Sequence, residues 1–252
     1  ACDEQRYHMV ILPLPHRSED FDEAIGALMS HSRPDGLVLS PPLTDEPRLL
    51  TCLETRGILY ASVSPKDATH GLGVTLDERR AAADIVTHLI ELGHRRIAHI
   101  VGHGAHGASA WRLAGYRQAL EDAGLPRDPQ LVVPGEFSFA SGVSAARRLL
   151  ALPEPPTAVF AANDDMAAGV IRVAYERGLA VPRDLSVCGF DDSPMAHQIF
   201  PALTTVRQPS REMGRTAASE LLRAIRGRGP GRMVSAEYTL MLRESTGPAP
   251  GR

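Results

Sequence analysis

Short apolar segments rich in β-branched residues alternate along the chain with longer segments in which apolar residues recur at helical spacing. The short segments predict strands at Tyr7–Leu12, Gly36–Leu39, Ile58–Ala61, Arg96–Val101, Thr157–Phe160, Leu185–Phe190, Leu203–Val206 and within Ala236–Leu242. The longer segments predict helices at about Ser18–Ser30, Glu46–Thr55, Asp77–Leu92, Ser109–Asp122, Asn163–Glu176 and Ser210–Arg226. Strand, helix and strand in this order are typical of βαβ units, so the pattern predicts an α/β fold with parallel sheets.

The segment from Asp77 to Leu92 carries the clearest helical signals. Ile85 and Leu89 lie one turn apart and place an apolar stripe on one face. Asp77 is a good N-cap because its carboxylate can accept hydrogen bonds from free amides of the first turn. Gly93 predicts the end of the helix, since glycine adopts the left-handed conformation without strain.

Length and charge limit the class of protein. A chain of 252 residues suits one large domain or two lobes of roughly 125 residues each. Lys and Arg total 27 against 30 Asp and Glu, a net charge of −3, whereas a surface that binds DNA usually has a basic excess. Any contact with nucleic acid is therefore expected from residues outside this sequence.

The apolar runs and the cysteines indicate the compartment. No apolar run approaches the ~18–20 residues that span a bilayer, so no membrane partner is expected. Cys2, Cys52 and Cys188 are odd in number and far apart, which favours reduced thiols over a disulfide framework or a zinc site. We therefore expect a cytoplasmic protein.

Polar side chains follow several of the predicted strands. A glycine-rich loop after Val101 leads to Arg112, Asn163 follows the strand that ends at Phe160, and Asp191 follows Phe190. Ligands of open parallel sheets bind outside the carboxyl ends of the strands. Together with Phe137, these side chains would suit a polyhydroxylated or heterocyclic ligand, because they combine a forked donor, an amide, a carboxylate and an apolar ring.

Each of these residues also has a purely structural interpretation. Asn163, with Asp164 beside it, could only cap the following helix, and Asp191 could only cap its turn. Arg112 could be a solvated surface charge or an ion-pair partner. Phe137 could belong to the core. The sequence leaves these alternatives open.

The loop after Val101 raises two further possibilities, which we do not favour. His103 and His106 have no further Cys or His at zinc-ligand spacing, so no metal is expected. Gly102, Gly104 and Gly107 match a dinucleotide-binding spacing, but no acid ends a following strand at the required distance. We therefore expect no cofactor.

Several segments together resemble the effector-binding core of the LacI/GalR family of transcriptional regulators. They are His88–Ala98 (HLIELGHRRIA), Arg112–Tyr116 (RLAGY), Ala162–Ala167 (ANDDMA), Val187–Asp192 (VCGFDD), Leu203–Pro209 (LTTVRQP) and the ending Leu242–Thr246 (LREST). They occur in the family's order and cover nearly the whole chain.

The resemblance implies two Rossmann-like lobes with parallel sheets, of periplasmic-binding-protein type I architecture. The chain would cross between lobes near Val74, Val206 and Ser235. The lobes would be residues 1–74 with 207–235 and residues 75–206 with 236–246, followed by a tail at 247–252. The family's helix-turn-helix headpiece and first βα unit have no counterpart in this sequence, and residues 1–5 resemble the end of the first core helix.

The resemblance also assigns residues to the effector site. Arg112, Phe137, Asn163 and Asp191 match positions that contact the effector in the family. His106 lies near a variable contact position. Ala108 stands where the family often has a contacting polar side chain, so one polar contact would be missing here.

The expected function is that of a ligand-responsive transcriptional regulator, a repressor, and not an enzyme. Its partners would be a small-molecule effector, a second copy of the chain, and operator DNA reached only through the absent headpiece. The effector would bind between the lobes; a sugar or sugar derivative is the first choice and a nucleobase the second. The helix from Asn163 and the segment Ser193–Phe200 would form the dimer surface.

Two other functions compete with this one. A solute-binding protein of a sugar transporter would share the fold, but the polar start, the unpaired cysteines and the Arg243–Thr246 ending favour the regulator. A glycoside-cleaving enzyme would need a pair of acids for proton transfer. The candidate acids are Asp164, Asp165, Asp191 and Asp192.

Overall fold

The computed structural model describes residues 2, 6–14, 20–32, 34–69 and 71–251. It divides the chain into two compact units, each with its own parallel sheet. The first unit comprises Ala1–Leu76 and Pro209–Ala236, and the second comprises Asp77–Gln208 and Glu237–Arg252. The expected α/β fold class is thereby confirmed. The crossings between lobes expected near Val74, Val206 and Ser235 stay a prediction.

The helices and strands alternate through most of the chain. The strands are β1 (Gly36–Leu39), β2 (Leu59–Val63), β3 (Gly73–Leu76), β4 (Ile97–Val101), β5 (Val132–Pro134), β6 (Ala158–Ala161), β7 (Ser186–Cys188), β8 (Thr205–Arg207), β9 (Met233–Ala236) and β10 (Thr239–Met241). The α-helices are α1 (Phe21–Ala27), α2 (Pro47–Thr55), α3 (Glu78–Glu91), α4 (Gly107–Asp122), α5 (Phe139–Leu149), α6 (Asp164–Glu176), α7 (Pro194–Gln198) and α8 (Ser210–Ile225).

In the first unit the sheet has the order β1-β2-β3-β9, and all its strands are parallel. Helix α8 packs on β1, β2 and β3. The buried side chains around α1 and α2 form an apolar cluster of Phe21, Ile25, Leu28, Met29, Leu39, Leu49 and Leu53. Burial of this cluster is what holds the two short helices in place, since short helices gain most of their stability from packing.

In the second unit the main sheet has the order β5-β4-β6-β7, again parallel. Helix α3 packs against α4, and α5 packs against α6. Gly115 lets α4 approach α3 closely, because a Cβ there would overlap the carbonyl oxygen of Arg79. Most strand residues of this sheet are fully buried, as expected for a parallel sheet covered on both faces.

One part of the second unit departs from the parallel pattern. Strands β8 and β10 form a two-stranded antiparallel ribbon, in which Val206 lies opposite Leu240. Isolated parallel bridges from Cys188 to Thr204 and from Asp191 to Arg207 connect this part of the chain with the end of β7 and the residues that follow it. The sequence pattern predicted both strands approximately but did not predict their direction.

The strand expected at Tyr7–Leu12 is wrong. Residues 7–12 have no regular structure, and Met9, Val10 and Ile11 are 70% or more exposed. An apolar run forms a strand only when its backbone can pair with a neighbour, and none of the described strands pairs with this run. The expected helix remnant at residues 1–5 and the helix start at Ser18 lie largely outside the described residues.

The prediction also missed several elements, most of them short. These are β3, β5, β9, α5 and α7, and the last predicted strand corresponds to β10 rather than to β9. Strands of three or four residues contain too few positions to show a period. Helix α5 did carry a signal, because Ser138 caps it and forms a capping box with Ser141.

Candidate functional site

Arg112 lies on α4, and its side chain is almost completely buried within the second unit. Its Nε donates to the Glu78 carboxylate at 2.7 Å, and an Nη1 hydrogen is donated to the carbonyl of Ala162. Its Nη2 lies 3.7 Å from the Asp191 carboxylate. The guanidinium carbon stands 3.6 Å from the centre of the Phe190 ring, which is cation–π geometry. Arg112 is therefore an ion-pair partner and not a solvated surface charge. We call Arg112, Glu78, Asp191 and Phe190 the Arg112 cluster.

The electrostatics of the Arg112 cluster keep the guanidinium charged. Burial acts against its charge, but Glu78 and Asp191 outweigh that effect and raise the pKa of Arg112. Burial raises the pKa of Asp191 to about 6, although Arg112 acts in the opposite direction. Asp191 is about one third exposed, and its Oδ1 accepts from the Gln208 amide at 2.5 Å. Asp191 is thus the one carboxylate of this cluster that solvent or a ligand can reach.

Asn163 serves two purposes at the start of α6. Its Oδ1 accepts from the backbone N–H of Met166 at 3.0 Å, so the residue is the N-cap of the helix. Its Nδ2 donates to the carbonyl of Phe137 at 3.0 Å. The capping interpretation is confirmed, but it uses only the oxygen of the amide. The amide has a second N–H, which can serve a ligand.

Phe137 is held in an unusual backbone conformation above a glycine. Its φ is +55°, and its ring lies where a Cβ of residue 102 would be, so Gly102 provides the space for the ring. Phe137 is half-buried and packs against the core of the second unit. The His106 ring meets it edge-on with centroids 5.1 Å apart. Part of the ring is therefore core and part remains accessible.

Asp192 lies next to Asp191 but has a different environment. Arg207 donates to it through Nε at 2.6 Å, and Arg243 donates through Nη2 at 2.6 Å. His197 Nε2 is 3.3 Å from the same carboxylate. Burial raises the pKa of Asp192, but the two arginines outweigh burial and lower it. We call Asp192, Arg207, Arg243 and His197 the Asp192 cluster. It is a structural ion-pair network in which the Asp192 carboxylate is already occupied by its partners.

Asp164 also makes structural hydrogen bonds. Its two oxygens accept hydrogen bonds from the Thr205 hydroxyl at 2.6 Å and the backbone N–H of Ser193 at 2.7 Å. It is 1% exposed, and burial raises its pKa to about 6. Two of the four acids considered for an enzyme, Asp164 and Asp192, are therefore occupied by structural contacts.

The structure links the five predicted site residues in two groups. Arg112 with Asp191 forms one group, and Asn163, Phe137 and His106 form the other. Arg112 also donates a hydrogen bond to the carbonyl of Ala162, the residue before Asn163, and this bond connects the two groups. Their assignment to a ligand stays a prediction.

Sequence reasoning missed three residues of the site. Glu78, Phe190 and Gln208 contact Arg112 or Asp191. Glu78 directly follows the helix cap Asp77. An acid in the first turn of a helix is normally explained by the helix dipole, so nothing in the sequence indicated that Glu78 contacts the site.

Among the described residues there is no group of three or more His, Cys, Asp or Glu placed to hold a metal ion. In the same part of the chain, no helix is both long enough and apolar enough to cross a bilayer.

Comparison with known proteins identifies the family. Residues 86–246 match the model of a periplasmic binding protein-like domain. The regulator CelR of Thermobifida fusca is 38% identical over 253 residues, which cover 97% of this chain and 72% of CelR. The chain belongs to the LacI family. It is the effector-binding core of such a regulator, and the resemblance found in the sequence is confirmed.

Further LacI-family relatives agree with this result. The repressor CytR of Escherichia coli strain K12 is 43% identical over 176 residues, which cover 69% of this chain and 51% of CytR. The chain thus spans about half the length of the first curated relatives that it matches. A solved CelR–cellobiose complex aligns with a TM-score of 0.87 at 35% identity, covering 96% of this chain and 75% of that one.

Some LacI-like motifs are explained by structural contacts. His94 of the L-G-H segment is fully buried and contacts Thr157 and Ser186, each at 2.9 Å, and the Gly247 carbonyl at 3.1 Å. Ser245 donates to the carbonyl of Val187 at 2.6 Å. These residues attach the last segment of the chain to the main sheet and do not belong to the ligand site.

Proposed function

We propose that this chain is the regulatory part of a ligand-responsive transcriptional repressor, and that its effector binds at the Arg112 cluster together with Asn163 and Phe137. The observation that supports this most strongly is the arrangement around Arg112. A buried, fixed guanidinium lies beside a carboxylate that remains accessible. Such preorganised polar groups next to an apolar ring are typical of small-molecule sites.

The effector that suits these groups best is a sugar or a sugar derivative. A sugar hydroxyl both donates and accepts hydrogen bonds, and the apolar face of a sugar ring packs on an aromatic side chain. Asp191 would accept from hydroxyls, Arg112 and Asn163 would donate to them, and Phe137 would cover the ring. Two LacI-family relatives of known structure contain cellobiose and ribose, respectively. His106 would contact one edge of the effector beside Phe137.

The effect on DNA would be exerted by linkage. Effector binding changes the operator affinity of a regulator only if the effector binds its two states with different affinity. The net charge of −3 argues against operator contacts by these residues, so a helix-turn-helix headpiece outside this sequence would make them. The working form would be a cytoplasmic homodimer that uses α6 and Ser193–Phe200 as its contact surface. A transporter's solute-binding protein is the weaker alternative, since the curated relatives are named as transcriptional regulators.

The decisive experiment is a thermal-shift screen of sugars and nucleobases against the chain and two variants. A true effector should stabilise the chain by about 2.7 kcal/mol at one hundred times its dissociation constant. Arg112→Ala and Asp191→Ala should each abolish most of that shift. The exposed Arg148→Ala variant is the control and should keep it. An effector that binds both site variants as tightly as the unchanged chain would contradict the proposed site.

A further inference from the structure

The charges around Arg112 define the kind of ligand that this site can accept. We infer that the effector is an uncharged or positively charged molecule, and that Glu78 makes the site reject phosphorylated and carboxylated sugars. This inference rests on the proposed function of the site. It adds a selectivity that follows from the contacts of one guanidinium.

Two of the five hydrogen-bond donors of Arg112 are already used, one of them by a carboxylate of the protein. A guanidinium has five N–H donors and binds a phosphate or carboxylate through two parallel N–H groups on one edge. In this structure Nε already donates to Glu78, and Nη1 donates to the carbonyl of Ala162. Nη2 faces Asp191 at 3.7 Å. The Nε edge of the fork is therefore occupied by a carboxylate that belongs to the protein.

The charge balance excludes a second anion. Glu78, Asp164 and Asp191 all act on the single guanidinium of Arg112. The neighbouring arginines bind elsewhere, because Arg207 and Arg243 both donate to Asp192. Around Arg112 itself, three carboxylates therefore act on one guanidinium. Negative charge is thus already in excess where the ligand would bind.

A buried histidine behind the site does not change this balance. His99 on β4 is fully buried and stacks between the rings of Tyr116 and Phe160. Burial lowers its pKa to about 4, and Arg112 contributes to the same effect. His99 is therefore neutral at pH 7 and supplies no positive charge to an anionic ligand.

A phosphate or carboxylate brought to Asp191 would consequently meet a like charge, while Arg112, Arg207 and Arg243 already bind carboxylates of the protein. Like charges placed together are a strong means of excluding a wrong partner. A hydroxyl meets no such penalty, because Asp191 can accept from it and the remaining Arg112 hydrogens can donate to it. An ammonium group gains from the same excess of carboxylates.

The experiment compares matched ligands on the unchanged chain by thermal shift and titration calorimetry. The probes are cellobiose, ribose and glucose, together with glucosamine and with the phosphate ester and uronic acid of each sugar. We expect the neutral sugar or the amine to bind at least about tenfold more tightly than its anionic derivative, the effect of roughly one pKa unit of charge interaction.

The variant Glu78→Gln tests the assigned residue. Glutamine keeps an acceptor for Arg112 but removes one negative charge, so the preference for the neutral over the anionic ligand should fall about tenfold. Glu176→Gln is the matched control, because Glu176 also pairs with arginines but lies on the exposed side of α6. The preference should be unchanged in the control.

The outcomes separate the two ideas. If none of the probes shifts the melting temperature, the proposed function fails and this inference fails with it. If an anionic derivative binds as tightly as its neutral parent, only the charge selectivity is wrong. If Glu78→Gln keeps the full preference, the assignment to Glu78 is wrong. The ligand comparison on the unchanged chain still decides the selectivity if that variant does not fold.

Discussion

Two adjacent carboxylates, Asp191 and Asp192, have opposite environments. Asp192 is 3% exposed and binds two guanidiniums, and its pKa is lowered. Asp191 is about one third exposed and shares one guanidinium with Glu78, and burial raises its pKa to about 6. The number of counter-charges within reach, and not the position in the sequence, decides which acid is structural and which remains available to a ligand.

The Asp192 cluster connects separate parts of the second unit. Arg207 ends β8, Arg243 follows β10, and His197 lies on α7. Arg243 also donates to the carbonyl of Leu203 at 2.7 Å. The cluster therefore fixes the antiparallel ribbon beside Asp191, and its loss should affect folding more than ligand selection.

The largest expected effect is that of Asp192→Ala on stability. This change leaves Arg243 with its charge largely buried and without its carboxylate, and breaking a buried pair costs about 3–5 kcal/mol. Denaturant unfolding of the chain measures the loss. Glu176→Ala removes only a solvent-exposed ion pair, which solvent screens, and should cost far less than Asp192→Ala. Equal losses in the two variants would show that the Asp192 cluster is not a buried network.

The second effect is a pH dependence of stability that comes from Asp164. Its pKa rises from 3.8 in the unfolded chain to about 6 in the native state because of burial. The native state then holds the proton more tightly, so the stability is present below about pH 4 and is lost as the pH rises to about 6. At about 1.4 kcal/mol per pKa unit, the loss is on the order of 3 kcal/mol.

Unfolding curves between pH 4 and 6 of Asp164→Asn test this effect, since the variant should show a flatter pH profile in the window set by the pKa of Asp164. Asp192→Asn should leave the slope in this window nearly unchanged, because the pKa of Asp192 is lowered from 3.8 and its contribution is lost only as the pH falls below that value. A profile unchanged by Asp164→Asn would mean that Asp164 does not hold its proton in the native state.

A smaller effect should follow from Gly102→Ala. The new methyl group would overlap the Phe137 ring, so the ring must move, and overpacking of this kind costs about 1–3 kcal/mol. We expect weaker effector binding together with this loss, as seen by thermal shift. Gly104→Ala is the control, because a Cβ at residue 104 meets nothing within 4 Å. Identical behaviour of the two variants would refute the role of Gly102.

Much of the fold could be predicted because local signals agreed with the burial pattern. Asp77 accepts from the backbone N–H of Arg80, and Gly93 has a φ of +91°, as the start and end of α3 require. Strand β1 has the predicted bounds. The prediction failed where backbone pairing determines whether a strand forms. The apolar run at Tyr7–Leu12 has the composition of a strand, but none of the described strands pairs with it.

The site was less predictable than the fold. Residues that follow strands could be selected by the rule for parallel sheets, and this rule found Arg112, Asn163 and Asp191. Glu78 could not be found in this way, because it precedes Arg112 by 34 residues and contacts it only through the packing of α3 on α4. The difference between Asp191 and Asp192 likewise depends on Arg207 and Arg243, whose positions require the ribbon geometry.

The double use of the Asn163 amide restricts which side chains can replace it. Aspartate could still accept from Met166 and begin the helix, but its ionised form has no hydrogen to donate to the carbonyl of Phe137. Alanine would forfeit both bonds. A saturation library at position 163 would therefore contain substitutions that preserve α6 but lose the hydrogen bond to the turn beneath the aromatic ring. Such variants would still fold and yet respond differently to the ligand.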